Sequence, residues 1–75
     1  MDSLSLNDLL QIIGKQLQDY RNSKNEKQIT VAHATGISVP VLSKIECGRY
    51  RQLTVEKLLR LTSYYQITLD KIIGA

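Results

Sequence analysis

The sequence predicts an all-α fold of five helices. Apolar residues recur at three- and four-residue intervals along the chain, no stretch sustains a strict apolar and polar alternation, and no Asn-Gly or Asp-Gly pair joins two hydrophobic runs. With 75 residues, the chain is expected to form a single domain, 1–75, because a core of this size buries only about 60 % of the unfolded surface and cannot be divided. A hydrophobic share of 43 %, with four Gly and one Pro, excludes a disordered or low-complexity chain.

Leu6, Leu9, Leu10, Ile13, Leu17 and Tyr20 fall on one stripe, predicting a first helix over roughly 6–22. Ser5 with Asp8 three residues on resembles a capping box at its start, and Asn22-Ser23-Lys24-Asn25 ends it. Asn25 is placed to cap a short second helix, with Gln28 at its third position, Ile29, Val31, Ala32 and Thr35 on its inner side, and Gly36 as its stop. Ser38 caps a third helix over about 39–47, where Pro40 is tolerated because first-turn amides lack intrahelical partners. Leu42 and Ile45 point inward, and Gly48 closes the helix. After the polar, basic loop Arg49-Tyr50-Arg51-Gln52, Thr54 caps a fourth helix near 55–64 carrying Val55, Leu58, Leu59 and Leu61. Thr68 caps a last helix with Leu69, Ile72 and Ile73, closed by Gly74. There is no internal repeat and no linker.

Several function classes drop out. One cysteine, Cys47, cannot form an internal bridge, which fits a reducing compartment and points to the cytoplasm. No run approaches the ~20 apolar residues of a membrane span, and Met1-Asp2-Ser3 lacks the basic start of a signal peptide. No Ser/His/Asp or Cys/His set, phosphate-cradling glycine loop or acidic pair stands at a catalytic spacing, and His33 has no metal-ligand neighbour, so neither an enzyme nor a metal or cofactor is expected. The net charge is a modest +3, but it is unevenly spread. Residues 1–20 carry Asp2, Asp8 and Asp19 against Lys15, whereas 44–60 carry Lys44, Arg49, Arg51, Lys57 and Arg60 against Glu46 and Glu56. Such a local basic field attracts polyanions.

Helices 2 and 3 are separated only by Gly36, Ile37 and Ser38, a connection suited to a steep crossing. Gly36 supplies the positive φ such a corner needs, and Ala32 lets two backbones approach. The series Gln28, Ala32, Gly36-Ile37-Ser38, Leu42, Ile45-Glu46 and Gly48, with Arg21 before it and Leu58, Leu61, Ile67, Leu69 and Ile72 after it, resembles the helix-turn-helix of the Cro and phage-repressor type, the XRE family. The resemblance covers about 12–73, with the motif itself at about 28–47.

It implies a five-helix, lambda-repressor-like domain that regulates transcription by binding double-stranded DNA, with helix 3 in the major groove, helix 2 across the backbone and a homodimer on a palindromic operator. By position in the motif, Val39, Pro40, Ser43 and Lys44 face base edges. Lys44 can donate to guanine, Ser43 can make one hydrogen bond, and Val39 and Pro40 offer apolar contact to thymine methyls. Family members usually carry polar residues where Val39 and Pro40 stand. Phosphate contacts fall to Lys27, Gln28, Ser38, Arg49, Tyr50 and Arg51. Lys27 replaces the usual Ser or Thr cap, leaving Asn25 as the substitute. Structural roles go to Ala32, Gly36, Leu42, Ile45 and Gly48, and to Arg21 and Glu46 as a partly buried ion pair.

The same residues carry plainer readings. The Gly36 turn can be an ordinary helix connection, Arg49 to Arg51 a solvated loop, Tyr50 a packing aromatic, Lys44 and His33 surface residues, and Cys47 a helix-end residue. Tyr64 and Tyr65, with Leu4 and Leu6, are either core or a dimer contact. Because the chain stops soon after helix 5, control is expected from concentration or from a partner such as a toxin. That suits a bacterial or phage repressor, a restriction-modification controller or an antitoxin. The alternative class is a protein-interaction module that keeps the fold without DNA binding, using apolar Val39, Pro40 and Val41.

Overall fold

A computed structural model describes residues 5–73. Five helices run in order: α1 (Leu6–Ser23), α2 (Gln28–Thr35), α3 (Val39–Glu46), α4 (Val55–Tyr65) and α5 (Leu69–Ile73). Among the described residues there is no strand. The periodicity translates directly into packing: Leu10, Ile13 and Leu17 of α1, Val31 and Ala32 of α2, Ile37 in the turn, Leu42 and Ile45 of α3, Leu58, Leu61 and Tyr65 of α4, and Ile72 of α5 are all buried. Helix α1 lies against α3 and α5, while α2 packs on α3 and α4, so the longest helix forms the floor on which α3 rests.

Side-chain caps fix most helix starts. The backbone amides of Asp8, Val41 and Lys57 donate to the hydroxyls of Ser5, Ser38 and Thr54 at 3.1, 3.3 and 3.1 Å. Helix α2 has no side-chain cap and corrects the expectation from sequence. Its N-cap is Lys27, with no side-chain cap bond, and Asn25 instead sits at φ 55° in the turn that ends α1, its amide donating to the Asn22 carbonyl at 3.0 Å. A short polar side chain tolerates this left-handed geometry, so the residue that looks like a start is a stop.

The apolar stripes also prove narrower than the pattern suggests. Ile29, Val55, Leu59 and Ile73, which belong to the apolar helical pattern, are exposed, and so is Leu6, which the sequence left as either core or a dimer contact. Leu6 and Ile73 sit at helix ends, and Ile29, Val55 and Leu59 at or beyond the edge of a buried arc, where one residue of rotation, about 100°, separates core from solvent. Leu4 and Gly74 lie outside the described residues.

The two tyrosines divide. Tyr65 is core, stacked on Tyr20 with centroids 6.1 Å apart and edge-on to Tyr64 at 5.1 Å. Tyr64 is half-buried and donates its hydroxyl to Glu26 at 2.7 Å, which raises its pKa. The Tyr65 hydroxyl is buried without a hydrogen-bond partner, and burial first, then the charge of Glu46, pushes its pKa far above the ordinary 10.0. A folded state that favours the neutral phenol is at full advantage below the unfolded value of 10.0 and loses it as pH rises beyond, because only the unfolded chain then releases the proton. Stability should therefore fall above about pH 10. Tyr65→Phe should flatten that fall and, by deleting an unsatisfied hydroxyl, raise stability at neutral pH by about 1 kcal/mol. Urea unfolding of both proteins at neutral and alkaline pH measures this, and parallel pH profiles would contradict it.

Candidate nucleic-acid interface

The site is built outward from the turn between α2 and α3. Gly36 adopts φ 74°, its amide bonded to the Ala32 carbonyl at 3.0 Å, and Arg60 of α4 reaches across to donate to the Thr35 carbonyl at 3.4 Å. The corner thus ends α2 with a left-handed residue and a basic side chain, two devices that satisfy terminal carbonyls. Buried Ile37 pins the turn to the core, and Ser38 starts α3.

Leu42, Ile45 and Glu46 are the buried residues of α3. The opposite side carries Val39, Pro40, Ser43 and Lys44; Pro40 and Lys44 are exposed, and Val39 and Ser43 are half-buried. Cys47, the C-cap, is exposed and follows Ser43 on that side, its amide bonded to the Ser43 carbonyl at 3.0 Å. Helical spacing places it on the face, a position that its reading as a mere helix end overlooks.

What holds α3 is an approach to α1 that leaves no room for a Cβ between the two backbones at Gly14. A Cβ on Gly14 would lie 2.4 Å from the Ile45 carbonyl oxygen and 2.7 Å from that of Glu46. Gly14 carries no expectation from sequence, although a glycine inside an otherwise helical pattern is the signal for such an approach. Two turns along the same face, Arg21 donates through Nε to Glu46 Oε2 at 2.8 Å and through Nη2 to Glu46 Oε1 at 3.0 Å. Its Nη1 donates to the Glu26 carbonyl at 2.9 Å. The Glu46 side chain is 1 % exposed and that of Arg21 13 %. Hydrogen bonding to Glu46 raises the Arg21 pKa, outweighing the desolvation that opposes it.

Gln28, expected at a phosphate, also belongs to this network: its Nε2 donates to Glu46 Oε1 at 2.9 Å. That bond fixes the start of α2 to the end of α3 and commits one of the two amide hydrogens, leaving the other and the amide oxygen. Exposed Lys27 stands beside it at a helix start whose amides no side chain caps.

Beyond α3 the chain reverses at Gly48, φ 73°, where a Cβ would meet the Gln11 Cα of α1 at 2.7 Å. The loop that follows is held rather than free. Tyr50 is half-buried against the core, which fits its plainer reading as a packing aromatic, and Arg51 donates through Nη1 to Asn7 Oδ1 at the start of α1. Lys44 and Arg49 are exposed and form no ion pair among the described residues, whereas Lys15–Asp19 and Arg60–Glu56 neutralise each other at 3.0 and 2.9 Å. Unpaired positive charge therefore lies at the C-terminal end of α3 and just past it. Among the described residues there is no cluster of His, Cys, Asp or Glu that could hold a metal, and no helix is long and apolar enough to cross a membrane.

Two helices of eight residues each, joined through a left-handed glycine, with the second helix backed by the core and open on its other side, define a helix-turn-helix. A helix-turn-helix family model matches residues 17–72, and the chain belongs to that family, the XRE-type helix-turn-helix of DNA-binding regulators. No curated protein and no solved structure matches significantly.

Proposed function

We propose that the protein is a sequence-specific, double-stranded DNA-binding regulator of transcription. The carrying observation is the exposed side of α3: four side chains on a rigidly backed helix, with uncommitted cations at Lys44 and Arg49. The helix fits a major groove, while Lys27, Gln28, Ser38, Arg49, Tyr50 and Arg51 are the phosphate contacts. Arg51 is tethered to Asn7 in the free protein and exchanges that partner for a phosphate; Tyr50 contributes only what its half-buried position leaves open. A single eight-residue recognition helix buries too little for tight specific binding, so a homodimer on a palindromic operator completes the reading. Action in a bacterial or phage-infected cytoplasm, with a partner such as a toxin as the means of control, fits a small repressor, restriction-modification controller or antitoxin.

A second reading has its own observation. Ile29 is 66 % exposed beside an α3 that begins Val39-Pro40-Val41, which suits a protein partner. One titration separates the two. Mixed-sequence duplex DNA should bind with log affinity falling linearly in log salt, and Arg49→Ala with Arg51→Ala should make that slope shallower by roughly 0.9 for each phosphate no longer neutralised. Absence of binding at low salt and high micromolar protein would sink the DNA reading in favour of the protein partner.

A further inference from the structure

The recognition face has an unusual division of chemistry. In the first turn of α3, Val39 and Pro40 present only carbon, and the Ser38 hydroxyl already accepts the Val41 amide at 3.3 Å. Hydrogen-bonding capacity begins a turn later, with Ser43 and Lys44. Val39 is half-buried against the core, in the wall of a shallow depression it shares with Ile29, Ala32, Ile37 and Ser38 between α2 and α3.

We propose, resting on the DNA-binding reading above, that the first turn of α3 selects a pyrimidine bearing a 5-methyl group. In the major groove the methyl of thymine is the one apolar group that projects from an unmodified base edge; apart from the flat C5–H of cytosine and C8–H of purines, the groups there are donors or acceptors. Carbon pressed against those polar groups strips their water and returns no hydrogen bond, so such sequences are penalised, whereas a methyl is stabilised by burial. Both side chains are stiff. Val39 is β-branched and packed from behind, and the Pro40 ring is locked, so the contact costs almost no rotamer entropy. Lys44 and Ser43 then read or bind one turn farther along. The methyl can come from thymine or from 5-methylcytosine, which present the same group at the same place.

The test starts from a duplex selected out of a random pool. Each thymine is replaced in turn by deoxyuridine, which removes the methyl and keeps the pairing edge, and binding is followed by fluorescence anisotropy. At least one thymine per half-site should lose about fourfold in affinity, the equivalent of about 0.8 kcal/mol for one buried methyl. That penalty should fall below about twofold in Val39→Ser or in Pro40→Ser. Pro40 is exposed, so its variant remains informative where Val39→Ser disturbs packing. At the same position, a gain for 5-methylcytosine over cytosine extends the preference to methylated DNA, and equality confines it to thymine. Uridine and thymine binding alike at every position would overturn the proposal while leaving DNA binding intact, as would penalties unchanged in both variants. Failure to bind any duplex would remove the DNA reading and this proposal together.

Discussion

Arg21→Ala is expected to cost about 3–5 kcal/mol of folding stability, as much as emptying a fully buried core position. A domain of 75 residues has roughly 4–11 kcal/mol in all, so the variant keeps at most about 8 kcal/mol and is largely unfolded if the wild type lies at the low end of that range. The size follows from the environment rather than from the pair's attraction. Glu46 is 1 % exposed at its side chain and takes two hydrogen bonds from Arg21 and one from Gln28. Without the guanidinium a buried carboxylate keeps a single amide donor, and the Glu26 carbonyl loses its partner as well. Arg21→Lys keeps the charge but cannot bridge both carboxylate oxygens from a planar fork, and should recover only part of the loss. Replacing both partners, as Arg21→Met with Glu46→Gln, should cost less than the two single changes added together. Chemical denaturation of wild type, Arg21→Ala, Arg21→Lys, the two single changes Arg21→Met and Glu46→Gln, and their double variant gives the answer, and additive losses in the last three would show that the two side chains act independently.

Gly14→Ala should also destabilise, against the direction set by helix propensity. Ala in a helix interior is favoured over Gly by about 1 kcal/mol. Here the added methyl lies 2.4 Å from the Ile45 carbonyl oxygen and 2.9 Å from the Glu46 carbonyl carbon, all backbone atoms that no rotamer change can move aside. Overpacking of that kind costs about 3 kcal/mol or more, so the clash wins by about 2 kcal/mol, and the melting temperature should drop by roughly 8–16 °C. The relief available is separation of α1 from α3, which also disturbs the Arg21–Glu46 bonds. A Gly14→Ala melting temperature at or above wild type would show that the crossing has slack the geometry denies.

These two residues frame how much was legible. Arg21 and Glu46 could be paired from the sequence because the resemblance put them at matching positions, 25 residues apart. Nothing in either residue's local pattern implies the contact, since both are ordinary members of polar helix faces. Gly14 carries no expectation from sequence, because a glycine in a helix signals close approach without saying to what. Gln28 shows the same limit: as a polar residue at a helix start it suits a phosphate, and only the arrival of Glu46 from α3 commits one of its amide hydrogens inside the protein. Likewise Arg51 reads as a free cation until α1 brings Asn7 beside it.

By itself the sequence determined what depends on neighbours in the chain. Period-3.6 apolar stripes, hydroxyl caps at Ser5, Ser38 and Thr54, and the left-handed stop at Gly36 set five helices, and their short connections left few ways to pack them. The spacing around Gly36 was enough to place the chain in its family. Tertiary structure decided which apolar residues are core and which are surface, sending Ile29, Val55 and Leu59 to solvent. It also fixed which polar groups remain uncommitted. The physical reason is range. Backbone dihedrals and caps are settled within four residues, whereas burial and charge pairing are settled only when α1 and α3 meet at Gly14 and close over Glu46.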